Sequence, residues 1–370
     1  MNREDPDRLL EAMIQSAKDI SDLLFVAGRP MQVETHGELK PFIYEEAEPL
    51  LTSERIEGLA MAIINNNQRL LQDLKEHGSC DCGYTLKSAC RFRVNVFLQN
   101  GNYAMVLRHL KPLIPTFDNL NLGPAFREII KEKNGIIFVT GGTGMGKTTT
   151  MAAMLNEINK TREIHILTLE DPIEFVLTPI KATFSQRELG RDFYSFHKGM
   201  RAAMRQAPSI IFIGEIRDRE TMEIVLNAGE TGHLVFSTLH TTSAAMTINR
   251  IIGMFSSDEE TQVRERLAGS MRFIISQRLV PARSGSRLLV TELLGSNLRS
   301  REAILLGEHE GRRLDDIIDA GTVYGWHSFE QSLYKAYEQD LITKETALLY
   351  CSSKMKMVQR IDAHPILRPR

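Results

Sequence analysis

Apolar runs without alternation recur through the middle of the chain, and segments of helical periodicity separate them. Such runs are typical of strands that are covered on both faces, and strands that alternate with helices form parallel sheets. The pattern predicts an α/β domain over residues 124–280, with helices on both faces of a parallel sheet. Its strands are predicted over residues 135–140, 164–170, 210–214 and 234–239.

The first part of the chain combines helical periodicity with short strand-like runs. A helix is predicted to begin at Asp5-Pro6, because proline suits the first helical position, and helical periodicity returns over residues 54–75. Asn100-Gly101 joins the last two strand-like runs and is a strong hairpin signal. Residues 1–111 are therefore predicted to form a small α+β domain. Its strands are predicted over residues 22–26, 31–35, 39–43, 84–89, 90–99 and 103–110.

Prolines mark the connection between these two patterns, at residues 112–123 and at Pro124 directly after it. A connector of this composition between two domains predicts a hinge. After residue 280 a short strand-like run gives way to helical periodicity, which predicts a mostly helical C-terminal subdomain over residues 281–370. The strand is predicted over residues 287–294, and the helices over residues 298–306, 312–320, 328–339 and 343–350.

Composition and charge narrow the class of protein. The chain has 370 residues with 45 basic and 47 acidic side chains, so its net charge of −2 gives no overall field that attracts nucleic acid or an anionic membrane. No apolar run approaches the ~18 residues of a membrane span, and the amino terminus is acidic where a signal peptide is basic. We therefore expect a cytoplasmic protein with no nucleic-acid partner.

The four cysteines do not suggest a disulfide framework in so long a chain. Cys80, Cys82 and Cys90 lie close together in the sequence, with His77 nearby, but their spacing lacks the second pair of a typical zinc site. Reduced structural thiols are the favoured interpretation of these residues, and a metal site is the alternative.

The strand predicted at residues 135–140 runs directly into GGTGMGKT, which starts at Gly141. This run fits G-x-x-x-x-G-K-[ST], a loop whose backbone N–H groups surround phosphates while Lys147 reaches the β- and γ-phosphate oxygens and a hydroxyl binds Mg²⁺. A chance match in a glycine-rich turn is the alternative, but the apolar run before it and the helical pattern after it favour nucleotide binding. The predicted nucleotide-binding residues here are Gly142, Thr143, Gly144, Met145, Gly146, Lys147, Thr148 and Thr149.

Ligands of an open parallel sheet lie beyond the carboxyl ends of its strands, so polar residues that follow the predicted strands are expected to converge there. Glu170, Glu215 and His240 each end or follow one of these strands. Glu215 is predicted to hold Mg²⁺ with Thr148, and Glu170 to orient or deprotonate the attacking water, although the two glutamates can exchange these roles. Lys147, Glu170 and Glu215 are thus the predicted catalytic residues. Surface carboxylates in salt bridges are the alternative.

Four ordered motifs carry a family resemblance. The runs GGTGMGKTTT, TLEDPIEF, RQAPSIIFIGEIRDRET and ETGHLVFSTLHTTSA resemble the Walker A motif, Asp box, Walker B motif and His box of the bacterial secretion ATPase superfamily. Within that superfamily the chain is most similar to the PilT/PilU twitching-motility ATPases, over nearly all of its length. The run from Met105 to Arg108 and the run that starts at Trp326 look more like PilU, and no clear copy of PilT's AIRNLIR motif is present.

The resemblance implies a RecA-like P-loop core preceded by a PAS-like domain. It also implies a homo-hexamer that hydrolyses ATP with Mg²⁺ and powers type IV pilus retraction. Its implied partners are an inner-membrane protein of the pilus base or secretion platform and a sister PilT-type ATPase, which would place it in the cytoplasm at the inner-membrane pilus machinery. An accessory ring that depends on a partner ATPase, a secretion-system traffic ATPase and, remotely, a nucleic-acid translocase stay open as alternatives.

The resemblance further implies that arginines of the amino-terminal domain meet the γ-phosphate. Arg91, Arg93 and Arg108 lie at matching places, and the first two share a strand face because they are two residues apart. A guanidinium there would stabilise charge in the transition state, and a solvated basic sheet face is the alternative.

The His box of the family implies a γ-phosphate-sensing role for His240 and, less strongly, for His233. On spacing alone, a lone histidine is more often structural. Arg217 is assigned a similar role, with an ion pair to a nearby carboxylate as the alternative.

Overall fold

The computed structural model of the protein describes residues 6–44, 50–86, 90–110 and 113–363. The chain divides into two compact units. The small unit consists of Met1–Leu113 with two later segments, Glu170–Val176 and Arg187–Ser195. The large unit consists of Ile114–Leu169, Leu177–Gln186 and Phe196–Arg370.

The small unit is built on an antiparallel sheet of six strands in the order β3-β2-β1-β6-β5-β4. Apolar faces of its helices and strands bury one continuous core, as alternating strands and amphipathic helices require. Its elements are α1 (Pro6–Gln15), β1 (Ile20–Phe25), β2 (Met31–Thr35), β3 (Glu38–Phe42), α2 (Ser53–Ile64), α3 (Gln68–His77), β4 (Ser79–Thr85), β5 (Arg91–Gln99) and β6 (Asn102–Leu110).

Most of the predicted elements of this unit are confirmed. The hairpin signal forms the turn between β5 and β6, with φ of 51° at Asn100 and 77° at Gly101. The single helical stretch predicted at residues 54–75 is two helices, because left-handed backbone at Asn65 and Asn66 ends α2 and Asn67 caps α3. The strand predicted at residues 84–89 lies earlier, at β4, and part of that range falls outside the described residues, as does Asp5.

The large unit contains a sheet of seven strands in the order β13-β12-β7-β11-β10-β8-β9. The elements of its first half, up to residue 239, are α4 (Pro124–Ile129), β7 (Gly135–Thr140), α5 (Lys147–Thr161), β8 (His165–Glu170), β9 (Thr183–Glu188), α6 (Phe196–Ala203), β10 (Ile210–Ile213), α7 (Arg219–Glu230) and β11 (Leu234–Leu239). The remainder are α8 (Ala244–Ile252), α9 (Glu260–Ser270), β12 (Met271–Pro281), β13 (Arg287–Gly295), α10 (Leu298–Leu306), α11 (Leu314–Ala320), α12 (Phe329–Glu338), α13 (Lys344–Tyr350) and α14 (Lys354–Ala363).

The strand β7 lies inside this sheet, parallel to β11 on one side and to β12 on the other. Because β10 and β8 are also parallel to their neighbours, five strands end at one edge of the sheet. The residues of β7 and β11 are all buried, as expected where helices cover both faces. The α/β core with a parallel sheet is therefore confirmed.

Several elements of the large unit were not predicted, among them the strands β9 and β12 and the helices α4, α8, α9 and α14. The strand β12 pairs antiparallel with β13 and parallel with β7, so the predicted start of the helical subdomain at residue 281 falls inside a hairpin of the central sheet. The helices that follow match the predicted ranges closely. Among the described residues, no helix combines the length and the apolar character that crossing a bilayer requires.

Candidate nucleotide site

The glycine-rich loop follows β7 directly and ends at α5, the geometry in which a helix N-terminus and backbone N–H groups face an anion. Gly141 has a φ of 152°, and a Cβ there would lie 2.8 Å from the carbonyl oxygen of Gln277, so only glycine fits. The Lys147 amine donates to the carbonyl oxygens of Gly141 and Gly142 at 2.9 and 3.0 Å. The amine thus lies against its own loop, where phosphate oxygens can replace these carbonyl partners.

Residues of strand β12 contact the glycine-rich loop, the helix α5 that follows it and the end of β7. The Gln277 amide donates to the buried hydroxyl of Thr150 on α5 at 2.9 Å, and the Leu279 N–H lies 3.4 Å from the Met145 sulfur. The hydroxyl of Thr140, the last residue of β7, donates to Ser276 at 3.2 Å. These supporting residues were missed in the sequence, where the mixed apolar and polar run of β12 was the only available signal.

The carboxylate of Glu215, just beyond β10, is held by two side chains. Arg217 donates to one oxygen, and His240 Nε2 lies 3.4 Å from the other. Burial alone would raise the pKa of Glu215, but the hydrogen bond and charge of Arg217, together with His240, lower it. The predicted residues Glu215, Arg217 and His240 are therefore brought together, with an ionised carboxylate between two donors.

Glu170 is the last residue of β8 and is only 5% exposed. Its neighbour Leu169 pairs with Ile213 of β10 and accepts the N–H of Gly214 at 2.8 Å. Glu170 therefore ends a strand at the same edge at which Glu215 follows β10. Its role as the residue that orients water stays a prediction.

The oxygen atoms at this edge of the sheet suit a magnesium ion. Mg²⁺ prefers oxygen ligands and keeps several waters, so it is held in such sites by one carboxylate, a hydroxyl and the substrate's phosphates. Thr148, in the first turn of α5, and the ionised Glu215 fit that requirement. Within the described ranges, no three His, Cys, Asp or Glu side chains are grouped so as to bind a metal by themselves.

The three predicted arginines lie on neighbouring strands of the small unit but in different surroundings. Arg93 and Arg108 are direct partners in the pairing of β5 with β6, and their side chains are 43% and 66% exposed. Arg108 forms an ion pair with Asp22 at 3.0 Å, whereas the nearest carboxylate oxygen to Arg93 is that of Asp81, at 4.0 Å. Two facing cations repel each other unless an anion lies between them.

Arg91 differs from these two arginines because it is buried in an ion pair with Glu188. A guanidinium that is neutralised in this way is not available to a nucleotide without breaking the pair. The predicted contact of Arg91 with the γ-phosphate is therefore not supported by its position.

The two predicted histidines lie at opposite ends of one strand. His240 follows the carboxyl end of β11, whereas His233 precedes its first residue, and the His233 carbonyl accepts the N–H of Gly135. The six residues of β11 lie between the histidines, and the seven residue steps of extended chain place them roughly 23 Å apart. His233 thus lies at the edge opposite the glycine-rich loop, so this geometry does not support its predicted role in sensing phosphate.

Residues 65–305 of the chain match the family described as Type II/IV secretion system protein. The chain is 37% identical to the type IV pilus retraction ATPase PilT of Pseudomonas aeruginosa over 340 residues, which cover 92% of this chain and 96% of PilT. It is 36% identical to the type IV pilus ATPase PilU of the same organism over 349 residues, which cover 94% and 88% of the two chains.

A solved structure is similar to this chain over most of its length. The crystal structure of the pilus retraction motor PilT with bound ADP has a TM-score of 0.84 and 38% identity, and the match covers 96% of this chain and 99% of that one. The identities to PilT and PilU are nearly equal, so they do not distinguish between the two. The greater similarity to PilU of the runs at Met105 and Trp326 stays a prediction. The chain belongs to the type II/IV secretion system protein family, in its branch of PilT/PilU-type ATPases.

Proposed function

We propose that the chain is an ATP-hydrolysing motor that works as a homo-hexamer and powers retraction of type IV pili. The observation that carries this proposal is that the glycine-rich loop after β7 shares a sheet edge with an ionised Glu215, which Arg217 and His240 hold at the end of β10, two strands away. Similarity to PilT and to its ADP complex supports a nucleotide at this edge. We place the working motor at the inner-membrane pilus machinery, where a pilus-base protein is its partner.

In this mechanism the loop binds ATP through its backbone N–H groups, and Lys147 exchanges carbonyl partners for phosphate oxygens. Thr148 and Glu215 would hold Mg²⁺, which neutralises phosphate charge when bound. Glu170, fixed at a buried strand end, orients or deprotonates the water that attacks the γ-phosphate. His240 contacts Glu215, so it is suited to respond when the γ-phosphate leaves.

Arg93 and Arg108 supply the positive charge that the transition state needs. The two exposed guanidinium groups face each other across β5 and β6, with Asp22 at 3.0 Å from Arg108 and Asp81 at 4.0 Å from Arg93, so a γ-phosphate of the same or a neighbouring subunit would compete with these carboxylates for both cations. Loss of that phosphate then removes an attraction that favours a closed arrangement. Repeated around a ring, with the connector at residues 112–123 as hinge, this switch becomes mechanical work.

Phosphate release by the purified chain, measured over a range of protein concentrations, tests the proposal. Turnover per subunit is expected to rise as rings assemble and to be lost in Lys147→Ala. Lys160→Ala is the matched control, because Lys160 lies in the last turn of the same helix and forms a surface pair with Glu157. ATP binding without turnover at every concentration would contradict an independent motor.

A PilU-like accessory ring is the second candidate, because identity to PilU is 36% against 37% to PilT. It is distinguished by turnover that appears only when a PilT-type ATPase is added. A traffic ATPase of a secretion system is a third candidate, since the matched family is described as Type II/IV secretion system protein. Its distinguishing result is normal turnover without restored twitching in a strain that lacks its retraction motor.

A further inference from the structure

The segment after Glu170 is held to the sheet of the small unit by one buried arginine. Arg91 donates from Nε to the Ile173 carbonyl at 2.7 Å, from Nη1 to the Thr85 hydroxyl at 2.8 Å, and from Nη2 to the Glu188 carboxylate. The same Glu188 oxygen accepts the Ile173 N–H at 3.2 Å. Arg91 and Glu188 thus bind both polar groups of the Ile173 backbone, and we call these three residues the Arg91 latch.

The Arg91 latch is tightly enclosed. The side chains of Arg91 and Glu188 are 10% and 6% exposed. A Cβ on Gly83 of β4 would lie 2.5 Å from Arg91 Nη2 and 2.8 Å from a Glu188 oxygen, so the strand backbone lies directly against the ion pair. In such surroundings the pair is little screened, and loss of one partner leaves the other buried and uncompensated.

A turn that follows β9 connects the latch to Glu170. The Leu189 N–H, one residue after Glu188, donates to the Glu170 carbonyl at 2.9 Å. Asp192 accepts the Glu188 N–H at 2.8 Å and so closes the turn. One backbone hydrogen bond therefore separates the latch from the residue that ends β8.

The same turn has a second anchor in the small unit. The Asn67 amide donates to the Gly190 carbonyl at 3.2 Å. Gly190 has a φ of 81°, and a Cβ there would overlap the Arg69 guanidinium at 2.1 Å. The turn is therefore fixed from both the loop between α2 and α3 and the start of β5. This explains why residues 170–176 and 187–195 form one compact unit with the amino-terminal sheet.

We propose that Arg91 and Glu188 are positioning residues for Glu170, and that they tie the end of its strand to the amino-terminal domain. This inference rests on the proposed function for the role of Glu170 in hydrolysis. Through the latch, any rearrangement of the amino-terminal sheet acts on the segment that directly follows the catalytic carboxylate. Arg91 thereby serves hydrolysis without contacting the nucleotide, unlike Arg93 two residues later on the same strand.

Amide hydrogen exchange on the full chain without nucleotide tests the latch itself. Arg91→Lys keeps the charge, but its single nitrogen cannot reach the three acceptors that three guanidinium nitrogens contact, and Glu188→Gln keeps an acceptor but loses the charge. In both variants the amides of residues 171–176 and 188–193 are expected to exchange at least about tenfold faster, because the Ile173 and Leu189 N–H bonds open more often. Arg266→Ala is the matched control, since Arg266 pairs with Glu230 at 2.9 Å between α9 and α7.

Turnover measurements then test the positioning of Glu170. In Arg91→Lys, kcat is expected to fall by about ten- to a hundredfold while nucleotide Kd stays within about twofold, because the reacting geometry is loosened and the phosphate loop is not. The double variant Arg91→Ala/Glu188→Ala is expected to lose no more than the worse single variant, because the two residues act as one unit. Thermal unfolding of each variant confirms that the chain is folded.

Two results would overturn the inference. Unchanged exchange at residues 171–176 and 188–193 in both Arg91→Lys and Glu188→Gln would show that no latch operates. A large loss of nucleotide affinity in Arg91→Lys with unchanged kcat would make Arg91 a nucleotide contact instead. The exchange result does not require turnover, so failure of the latch is distinguishable from failure of the proposed ATPase activity.

Discussion

Charged groups are organised differently at the strand ends of the large unit and on the sheet of the small unit. At the strand ends the backbone does most of the placing, because β7, β10 and β11 are parallel and deliver Lys147, Glu215 and His240 to one edge. On the small sheet the arginines share a strand pair, yet one is buried in an ion pair and two are exposed. Topology is therefore a good guide to function at the first site and a poor one at the second.

The two sites are therefore expected to respond to different kinds of substitution. The loop depends on backbone conformation that only glycine adopts at Gly141. The arginines differ mainly in burial, because Arg91 is enclosed with Glu188 whereas Arg108 stays exposed in its pair with Asp22. A substitution that alters the backbone of the loop should therefore weaken nucleotide binding. Substitutions of single arginines should show which of them contribute to hydrolysis and which do not.

The largest effect is expected from the exposed arginines. Arg93→Ala and Arg108→Ala should each lower kcat by about a thousandfold, the range of an arginine that stabilises a transferring phosphoryl group. Affinity for ADP should stay within about twofold, because ADP lacks the phosphate that these residues are proposed to meet. Single-turnover hydrolysis and ADP titration provide the measurements, and equal losses of ATP and ADP affinity would argue against a γ-phosphate role.

A smaller loss is expected from a change in the loop backbone. Gly141→Ala should weaken nucleotide binding by about a hundredfold, because its φ of 152° is strained for alanine and its Cβ would meet the Gln277 carbonyl at 2.8 Å. Gly142→Ala makes only an ordinary 3.6 Å contact with Met145, so its loss should be at least about tenfold smaller. Equilibrium titration with a fluorescent ATP analogue compares them, and equal losses would contradict the backbone argument.

Much of the central fold could be predicted because local signals agree with the tertiary structure there. The apolar runs of β7 and β11 match their predicted ranges, since buried parallel strands leave a continuous apolar pattern. The strand β12 was missed because it contains polar residues whose partners lie elsewhere, as Gln277 bonds to Thr150. Such residues look unsuited to a buried strand until the tertiary contact is known.

The candidate site was predicted less completely than the fold, for a related reason. Spacing placed Arg91 and Arg93 on one face of a strand, but the burial of Arg91 depends on Glu188, 97 residues away. The His box grouped His233 with His240, yet a strand places them at its two ends. A motif identifies candidate residues from a short stretch of sequence. The contacts that determine the role of each residue come from segments that are distant in the sequence.

A third prediction concerns Glu292 on β13, whose carboxylate accepts the first N–H of α8, that of Ala244, at 2.8 Å. Burial raises the pKa of Glu292 from 4.5 to about 7; the Ala244 N–H and Arg278 oppose that rise, whereas Asp315 and Glu330 add to it. The Glu292 carboxyl thus binds the N-terminal end of α8, whose first residue is also the last residue of the His box. Unlike Glu215 at the same sheet, it is therefore protonated in the folded chain over part of the neutral range.

The sign of the pH effect follows from this raised pKa. Between pH 4.5 and about 7 the folded chain keeps a proton that the unfolded chain releases, so the free energy of unfolding falls as pH rises, by up to about 1.4 kcal/mol per pH unit. Glu292→Gln should remove this contribution, so the difference in unfolding midpoint between variant and wild type should change across that range. Parallel midpoints at every pH would contradict a raised pKa.

The smallest effect is expected in the small unit, away from both charged sites. Gly58 lies in the interior of α2, its φ is not positive, and no described residue lies within 4 Å of a Cβ built there. Gly58→Ala should therefore raise the free energy of unfolding by about 0.5–1 kcal/mol, because alanine loses less backbone entropy in a helix. Denaturant unfolding measures the gain, and turnover should be unchanged. A loss of stability would contradict this argument, because among the described residues the position is open.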